Sequence, residues 1–239
     1  MIENPTLLVP VDVSAQEDPS LDLIEVLRPL RVVVLGYYPV PDQTAPQQIR
    51  DEYEQEAKDD LETIVQQFAG SDADVQSVLV FTRDSAQSID RVANEYDCDS
   101  VLVSGVTGEI ARVLVSLKDE QNMFRVLGVV ESLMASNDLE VTLYHAESIE
   151  KGSAKSELYL RGATDWLTER GLDREAISWE EPTAETQESA LLDLAESHDV
   201  VVTGEYEPDI RERVVGTVPD RIHDRTGRPV VVVRKERSV

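Results

Sequence analysis

The chain has 239 residues, of which 41% are hydrophobic, and it carries a formal net charge of −26 at pH 7. This length suits one large domain or two domains of about 100–150 residues. The charge disfavours nucleic acid as a partner, because a duplex repels an acidic surface and the sequence has no basic stripe to offset that repulsion.

Nine short aliphatic runs predict β-strands. They are continuous and rich in β-branched residues, which is typical of strands buried on both faces of a parallel sheet. In chain order the runs are residues 7–11, 32–35, 78–81, 101–103, 113–115, 141–144, 176–179, 200–202 and 230–233.

Amphipathic segments between these runs predict helices. The clearest, residues 123–133, repeats apolar side chains at a spacing near 3.6 residues. Others are residues 49–68, a segment that opens near Ser85, and residues 214–224. The alternation of strands and helices predicts an α/β fold with doubly wound parallel sheets.

The second half of the chain repeats the pattern of the first. Residues 7–12 overlay on 113–118, and residues 101–105 overlay on 200–204, so that Gly105 falls on Gly204. The offset of about 100–110 residues predicts two tandem domains, 1–109 and 110–239. The first copy lacks the last helix and strand of the second, so its open edge is expected to pack against the second domain or another subunit.

These residues resemble the universal stress protein family over nearly the whole chain. The carriers are the opening LLVPVDVS, the fourth-strand runs VLVSG and VVVTG, and the ending GRPVVVVR. The resemblance implies a strand order of 3-2-1-4-5, with ligands at the carboxyl ends of strands one and four, where the order reverses. It also implies a homodimer, with the strand at residues 230–233 at the interface.

In family members that bind ATP, the loop after strand four reads G-x2-G-x9-G-[S/T], and an Asp that ends strand one lies near the nucleoside. Glycines let backbone amides approach the phosphates, and a helix N-terminus adds partial positive charge. In the second domain Gly204 matches the first glycine, but Glu207 replaces the second. Gly216-Thr217 matches the last pair one residue early, and Lys118 replaces the Asp.

The first domain keeps a different part of that motif. Asp12 ends strand one, and Gly105 and Gly108 satisfy G-x2-G, but the chain then enters the next strand. Neither motif is complete. Thr217 has a second interpretation, as the N-cap of a helix with Asp220 three residues on. The candidate nucleotide-binding residues are Asp12, Gly105, Gly108, Gly204, Gly216 and Thr217.

Other features of the sequence point away from catalysis. Cys98 is the single cysteine, so no intrachain disulfide can form, and its acidic neighbours disfavour a thiolate. The three histidines lie in unrelated segments, and no spacing of ligands suggests a metal site. No segment resembles a signal peptide or a membrane span, so a cytoplasmic protein is expected.

The acidic residues recur along the whole chain, against 17 Arg and 5 Lys. This composition is typical of a cytosolic protein from an extreme halophile, because at about 1 M salt the Debye length is roughly 3 Å and self-repulsion is screened. An acidic protein adapted to ordinary salt is the alternative.

The resemblance and the incomplete motifs favour a non-enzymatic regulator that acts through protein contacts, with no cofactor expected. One alternative is a stress sensor that binds an adenine nucleotide, ATP or AMP. A second alternative is an accessory regulatory subunit of a membrane transporter.

Overall fold

The described residues form one continuous sheet of nine strands. The structure, a computed structural model, describes residues 4–15, 19–69, 74–118, 120–145, 154–180, 186–205 and 217–235. The strands are β1 (Thr6–Asp12), β2 (Arg31–Pro39), β3 (Val75–Thr82), β4 (Ser100–Val103), β5 (Arg112–Leu117), β6 (Glu140–His145), β7 (Ile177–Glu180), β8 (Val200–Gly204) and β9 (Val230–Val233). Each predicted run coincides with a strand, apart from Ala176, which ends a short 3-10 helix (Arg174–Ala176).

The described residues form seven α-helices. They are α1 (Leu21–Leu27), α2 (Pro46–Phe68), α3 (Ser85–Glu95), α4 (Glu120–Met134), α5 (Ala154–Thr168), α6 (Gln187–Glu196) and α7 (Val218–Thr226). Side chains just before α1, α3 and α6 satisfy a first-turn amide, as Asp84 does for α3 by accepting from the Gln87 amide at 2.9 Å. Gly227 ends α7 with a φ of 68°, a left-handed conformation that favours glycine.

The strand order is β3-β2-β1-β4-β9-β8-β5-β6-β7. Strands β1–β4, here called the first half, have the order 3-2-1-4, and strands β5–β9, the second half, have the mirrored order 5-4-1-2-3. All pairings are parallel except that of β4 with β9, which is antiparallel. Each half is parallel, as expected, and the antiparallel pair lies at the junction, where the last strand of the second half pairs with the edge of the first.

Helices cover both faces of the sheet, because alternate side chains of each strand point to opposite sides. Helices α1, α2, α4 and α5 pack on one face in a single apolar cluster that includes Leu7 of β1 and Val113 of β5. On the other face, α3 packs around Leu8, and α6 and α7 pack around Leu114. The predicted domains 1–109 and 110–239 thus share one sheet and one core layer, and the boundary between them stays a prediction.

One hydrogen-bonding arrangement occurs twice in the sheet. The Asp99 amide donates to the Thr6 carbonyl at 2.8 Å, and its carboxylate accepts from the Thr6 amide at 3.0 Å. The Asp199 amide donates to the Arg112 carbonyl, and its carboxylate accepts from the Arg112 amide, both at 2.9 Å. Each aspartate ties the start of one strand to the start of its neighbour.

The paired aspartates also fix how the halves correspond. Asp99 is equivalent to Asp199, so the fourth strands are offset by 100 residues. The sequence overlay used an offset of 99, and it is wrong by one residue. In the ladder Gly105 corresponds to Glu205, whereas Gly204 corresponds to Ser104.

Arg234 ties the end of β9 to the first half. Its side chain is 8% exposed. Its guanidinium donates to the carbonyls of Ala93 and Cys98, each at 3.1 Å, and to Asn94 Oδ1 at 2.5 Å. A carbonyl in the last turn of α3 and the Cys98 carbonyl, two residues before β4, therefore accept from an arginine at the far end of the chain.

Candidate functional site

The predicted ligand edges lie at the carboxyl ends of β1 and β4 in the first half, and of β5 and β8 in the second. These are the points where the strand order reverses, which is where open α/β sheets bind ligands. Asp12 is the last residue of β1 and is half-buried. Lys118 follows β5, and the equivalence of Thr6 with Arg112 places it opposite Asp12, as the sequence predicts.

The Asp12 carboxylate is held by a local turn. Its Oδ1 accepts from the Ser14 amide at 2.9 Å and from Ser14 Oγ at 2.6 Å. Nearby, burial raises the pKa of the Tyr38 hydroxyl, and the charges of Glu56, Glu52 and Asp12 raise it further. This edge therefore carries several negative charges, which oppose the binding of a phosphate.

Gly105 has no room for a ligand beside it. A Cβ at this position would lie 2.5 Å from backbone atoms of Gly227, Arg228 and Pro229, the turn that leads into β9. The next amide, that of Val106, donates to the Gly227 carbonyl at 2.9 Å. The glycine is therefore explained by backbone packing within the chain. Gly108, by contrast, has no atom within 4 Å of an added Cβ.

The space beside Gly204 is filled by a side chain from α4. A Cβ there would lie 2.7 Å from Asn122 Nδ2. Asn122 is 5% exposed, and its Nδ2 donates to the Val233 carbonyl at 3.2 Å. The remaining cavity between Lys118, Asn122 and Gly204 has a volume of about 10 Å³, which is room for about one water molecule.

The amide after Gly204 is also occupied. The Glu205 amide donates to the Val233 carbonyl at 2.7 Å, and this bond extends the pairing of β8 with β9. The Glu205 carboxylate in turn accepts from the Lys235 amide at 3.0 Å. A glutamate thus stands where a phosphate-binding loop would begin.

Thr217 is the N-cap of α7. Its amide donates to Asp220 Oδ2 at 2.9 Å, and its hydroxyl donates to the same oxygen at 2.6 Å. This agrees with the capping interpretation, because the chain places its own carboxylate at the amide where a phosphate oxygen would bind. Gly216 and Glu207 lie outside the described residues.

The histidines have structural surroundings where their contacts are described. His198 makes contacts through both ring nitrogens, Nδ1 with the Leu194 carbonyl at 2.7 Å and Nε2 with Thr142 Oγ1 at 2.9 Å. His145 ends β6, is 3% exposed, and lies 3.0 Å from Ser156 Oγ and against the ring of Tyr159.

Cys98 is buried, and burial raises the pKa of its thiol to about 11. The nearby charges of Asp99 and Asp97 act in the same direction, and Arg234 opposes them. The expectation of an unreactive, structural cysteine agrees with this environment.

Two structural features are absent from the described residues. No three side chains of His, Cys, Asp or Glu are arranged there to hold a metal ion. None of the described helices combines the length and low polarity needed to cross a lipid bilayer.

Sequence reasoning missed the residues that occupy the site. Asn122 comes from α4, and Val233 and the turn at Gly227 come from the chain at β9. The turn lies against Gly105 because β9 pairs with β4, and Val233 lies beside Glu205 because β9 pairs with β8. The available signal was indirect: the first half lacks a fifth strand, and the chain ends in a strand that could complete it.

Comparisons with known proteins bear on the fold. No family model matches the chain, and no curated protein matches its sequence significantly. A universal stress protein from Archaeoglobus fulgidus has a similar structure, with a TM-score of 0.63 and 14% sequence identity. That match covers 98% of this chain and 97% of the other.

A protein of unknown function from Pseudomonas aeruginosa matches with a TM-score of 0.52 and 13% identity, over 97% of this chain and 93% of the other. A universal stress protein in complex with cAMP matches 53% of this chain and 98% of its own, at 22% identity, but its TM-score of 0.40 is too low to bear on ligands here. The chain therefore has the α/β fold seen in universal stress proteins.

Proposed function

We propose that this protein is a universal-stress-type cytosolic regulator that acts through protein contacts, and that its two nucleotide sites are degenerate. The fold supports the first part. The claim of degenerate sites depends on the backbone amides that would face phosphates. The amides of Val106, Glu205 and Thr217 all donate to acceptors of the chain itself.

Nucleotide binding would have to displace these contacts. At Gly204 a phosphate would replace the Asn122 side chain and approach the Glu205 carboxylate. Two unit charges of like sign at 4 Å repel by about 4 kcal/mol at an effective dielectric of 20. At Thr217 the phosphate would compete with Asp220, which is covalently part of the chain and already in place.

The experiment is a search for bound nucleotide. The protein is purified in molar KCl and denatured, and the supernatant is chromatographed for adenine nucleotides. Melting is then measured with and without ATP and Mg²⁺. The proposal expects no nucleotide and no shift in melting temperature, whereas a co-purified nucleotide or a shift of several degrees would contradict it.

A variant tests the role of Asn122 directly. Asn122→Ala removes the side chain that fills the space at Gly204, and Asn137→Ala removes a partly buried asparagine elsewhere, whose Nδ2 donates to the carbonyls of Val26 and Leu133. If Asn122 excludes ligands, any gain in ATP binding is confined to the first variant. Equal ATP binding by wild type and both variants would refute the proposed exclusion.

An adenine-nucleotide sensor is the second candidate. Asp12 is retained at the end of β1, and Gly108 has open space beside it, so the first half keeps two parts of a nucleotide site. The same melting experiment separates the candidates, and Asp12→Ala would abolish a shift that arises in the first half.

We also infer that the chain arose by tandem duplication. The repeated hydrogen-bonding arrangement at Asp99 and Asp199 supports this inference. Its composition supports adaptation to high salt. A membrane transporter as partner rests on resemblance alone and stays a prediction, to be tested by affinity capture from membranes.

A further inference from the structure

Both edges of β9 are already paired within the chain. It pairs with β4 through Val230 to Val233 on one side and with β8 on the other. The interface expected at this strand is therefore an internal one, between the two halves. A homodimer built by strand pairing has to use a different edge.

We propose that the outer edge of β3 pairs with β3 of a second copy of the chain, antiparallel and about a two-fold axis. This would join two nine-stranded sheets into one. The proposal goes beyond the regulatory function above and is independent of whether a nucleotide binds.

The direction of the backbone groups in β3 follows from two hydrogen bonds. The Val32 amide donates to the Asp74 carbonyl at 3.0 Å, and the Val40 amide donates to the Thr82 carbonyl at 2.8 Å. The backbone N–H and C=O groups of the even-numbered residues of β3 therefore face β2. Because successive residues of a strand direct their backbone groups to opposite sides, odd-numbered ones face outward: Val75, Ser77, Leu79 and Phe81. Among the described strands none lies on that side.

Edge strands normally carry charges, prolines or bulges that prevent pairing with other chains. The β3 sequence VQSVLVFT has eight residues, no charge and no proline, in a chain of which 29% is charged. None of its residues is buried, although all but Gln76 and Ser77 are partly covered. An uncharged strand of this length is suited to pairing.

The other edge of the sheet is protected. Strand β7 has four residues and ends in Glu180. Arg174 Nη1 donates to the Ile177 carbonyl at 2.8 Å, which places a charged side chain at the start of the strand. The contrast between the two edges singles out β3.

A second copy is the occupant that the uncharged strand favours. Two chains of −26 repel each other over most of their surfaces, and a two-fold contact at β3 brings one uncharged strand against another. Two-fold symmetry makes the paired strands antiparallel and the contact self-complementary. The chain already uses an antiparallel pair, β4 with β9, to join its halves.

Salt should strengthen this dimer. Helix α2 packs on β3, as Val65 and Phe68 of α2 and Leu79 and Phe81 of β3 share one apolar cluster. Its sequence carries seven acidic and two basic residues, so two copies of α2 would approach each other across the interface. Because salt screens such repulsion, the dimer dissociation constant should fall as KCl is raised.

The test is Ser77→Pro against Ser77→Ala. Ser77 is exposed and its amide faces outward, so proline removes a donor to the second copy and leaves the pairing with β2 intact. Alanine keeps that donor. Sedimentation velocity in molar KCl should show a dimer for wild type and Ser77→Ala. For Ser77→Pro the dimer dissociation constant should rise at least about tenfold, because the lost hydrogen bond occurs twice.

Crosslinking gives a second measurement that does not depend on proline. Cys98 is buried, so a thiol introduced by Ser77→Cys is the reactive one, and a short bismaleimide should link two chains through it. Ser178→Cys, at the exposed middle of β7, is the matched control and should link poorly.

Three outcomes would overturn the proposal. Wild type could be a monomer at all concentrations in molar KCl, or Ser77→Pro could fold and dimerise as wild type does. Crosslinking at Ser178 with none at Ser77 would place the interface elsewhere. If Ser77→Pro fails to fold, the Ser77→Cys crosslink decides.

Discussion

Replacing Arg234 by alanine should be among the most destabilising substitutions in this protein. The guanidinium is buried where α3 ends and β4 begins, and it donates to two backbone carbonyls and one side-chain oxygen. Its own carbonyl accepts from Arg125 Nε at 2.9 Å, and Arg125 also pairs with Asp99 at 3.1 Å. The substitution thus removes the side chain that joins the end of β9 to the end of α3 and the segment before β4, while the carbonyl that Arg125 contacts remains.

The magnitude follows from the groups left without a partner. An unsatisfied buried acceptor costs about 1–3 kcal/mol. Arg234→Ala leaves the Cys98 carbonyl and Asn94 Oδ1 without this donor, whereas the Ala93 carbonyl keeps the Cys98 amide at 2.8 Å. With the lost packing, the free energy of unfolding should fall by about 3–5 kcal/mol. This is a large share of the stability of about 5–15 kcal/mol that is typical of folded proteins.

The assay is urea unfolding in molar KCl, followed by circular dichroism. Arg91→Ala is the control. Arg91 lies on α3, the helix that the Arg234 side chain contacts, and forms an exposed ion pair with Glu95 at 3.4 Å, which contributes about 0–0.5 kcal/mol. Arg234→Lys should fall between the two, since one ammonium cannot reach all three acceptors. A loss below about 1 kcal/mol for Arg234→Ala, with an unchanged dependence on urea, would refute the reasoning.

Three further predictions follow from the same contacts. Gly105→Ala should lower the free energy of unfolding by about 1–3 kcal/mol because its Cβ meets backbone, while Gly108→Ala should stay within about 0.5 kcal/mol; equal urea midpoints would contradict this. Burial raises the pKa of Cys98 to about 11, above the unfolded value of about 8.5. Its contribution to stability is therefore complete below that lower pH and is lost as pH rises towards the folded pKa. The urea midpoint of wild type relative to Cys98→Ala should fall over this window, and a flat difference would count against it. Finally, the melting temperature should rise from dilute buffer to molar KCl, because salt screens the charge of −26; a decrease would count against the halophile interpretation.

The strands could be predicted from sequence because each is a short, dense aliphatic run. Parallel strands covered by helices on both faces have to be apolar on both faces, so the runs at residues 101–103 and 200–202 stand out from their acidic surroundings. The start of α7 was less certain. Its pattern extends back to Val214, but the chain places the N-cap at Thr217, where Asp220 can close the capping box.

The correspondence of the two halves could not be predicted to the residue. Matching the glycines in VLVSG and VVVTG gave an offset that the sheet does not use. The sheet is aligned instead by Asp99 and Asp199, whose carboxylates satisfy the amides of Thr6 and Arg112. A shift of one residue sends a side chain to the opposite face, so two identical glycines in similar strings need not share a position.

Strand β9 connects the architecture to the state of the candidate sites. Because it lies between β4 and β8, the turn that precedes it comes against Gly105, and the Val233 carbonyl near its end takes the Glu205 amide and the Asn122 side chain. The pairing of β9 with β8 thus occupies the Glu205 amide of the second half, and the turn before β9 occupies the Val106 amide of the first half. A substitution at Glu207 alone would not restore a site, since the neighbouring amides would still be used by the chain. If the sites are degenerate as proposed, one strand accounts both for their occupied amides and for the joining of the two halves.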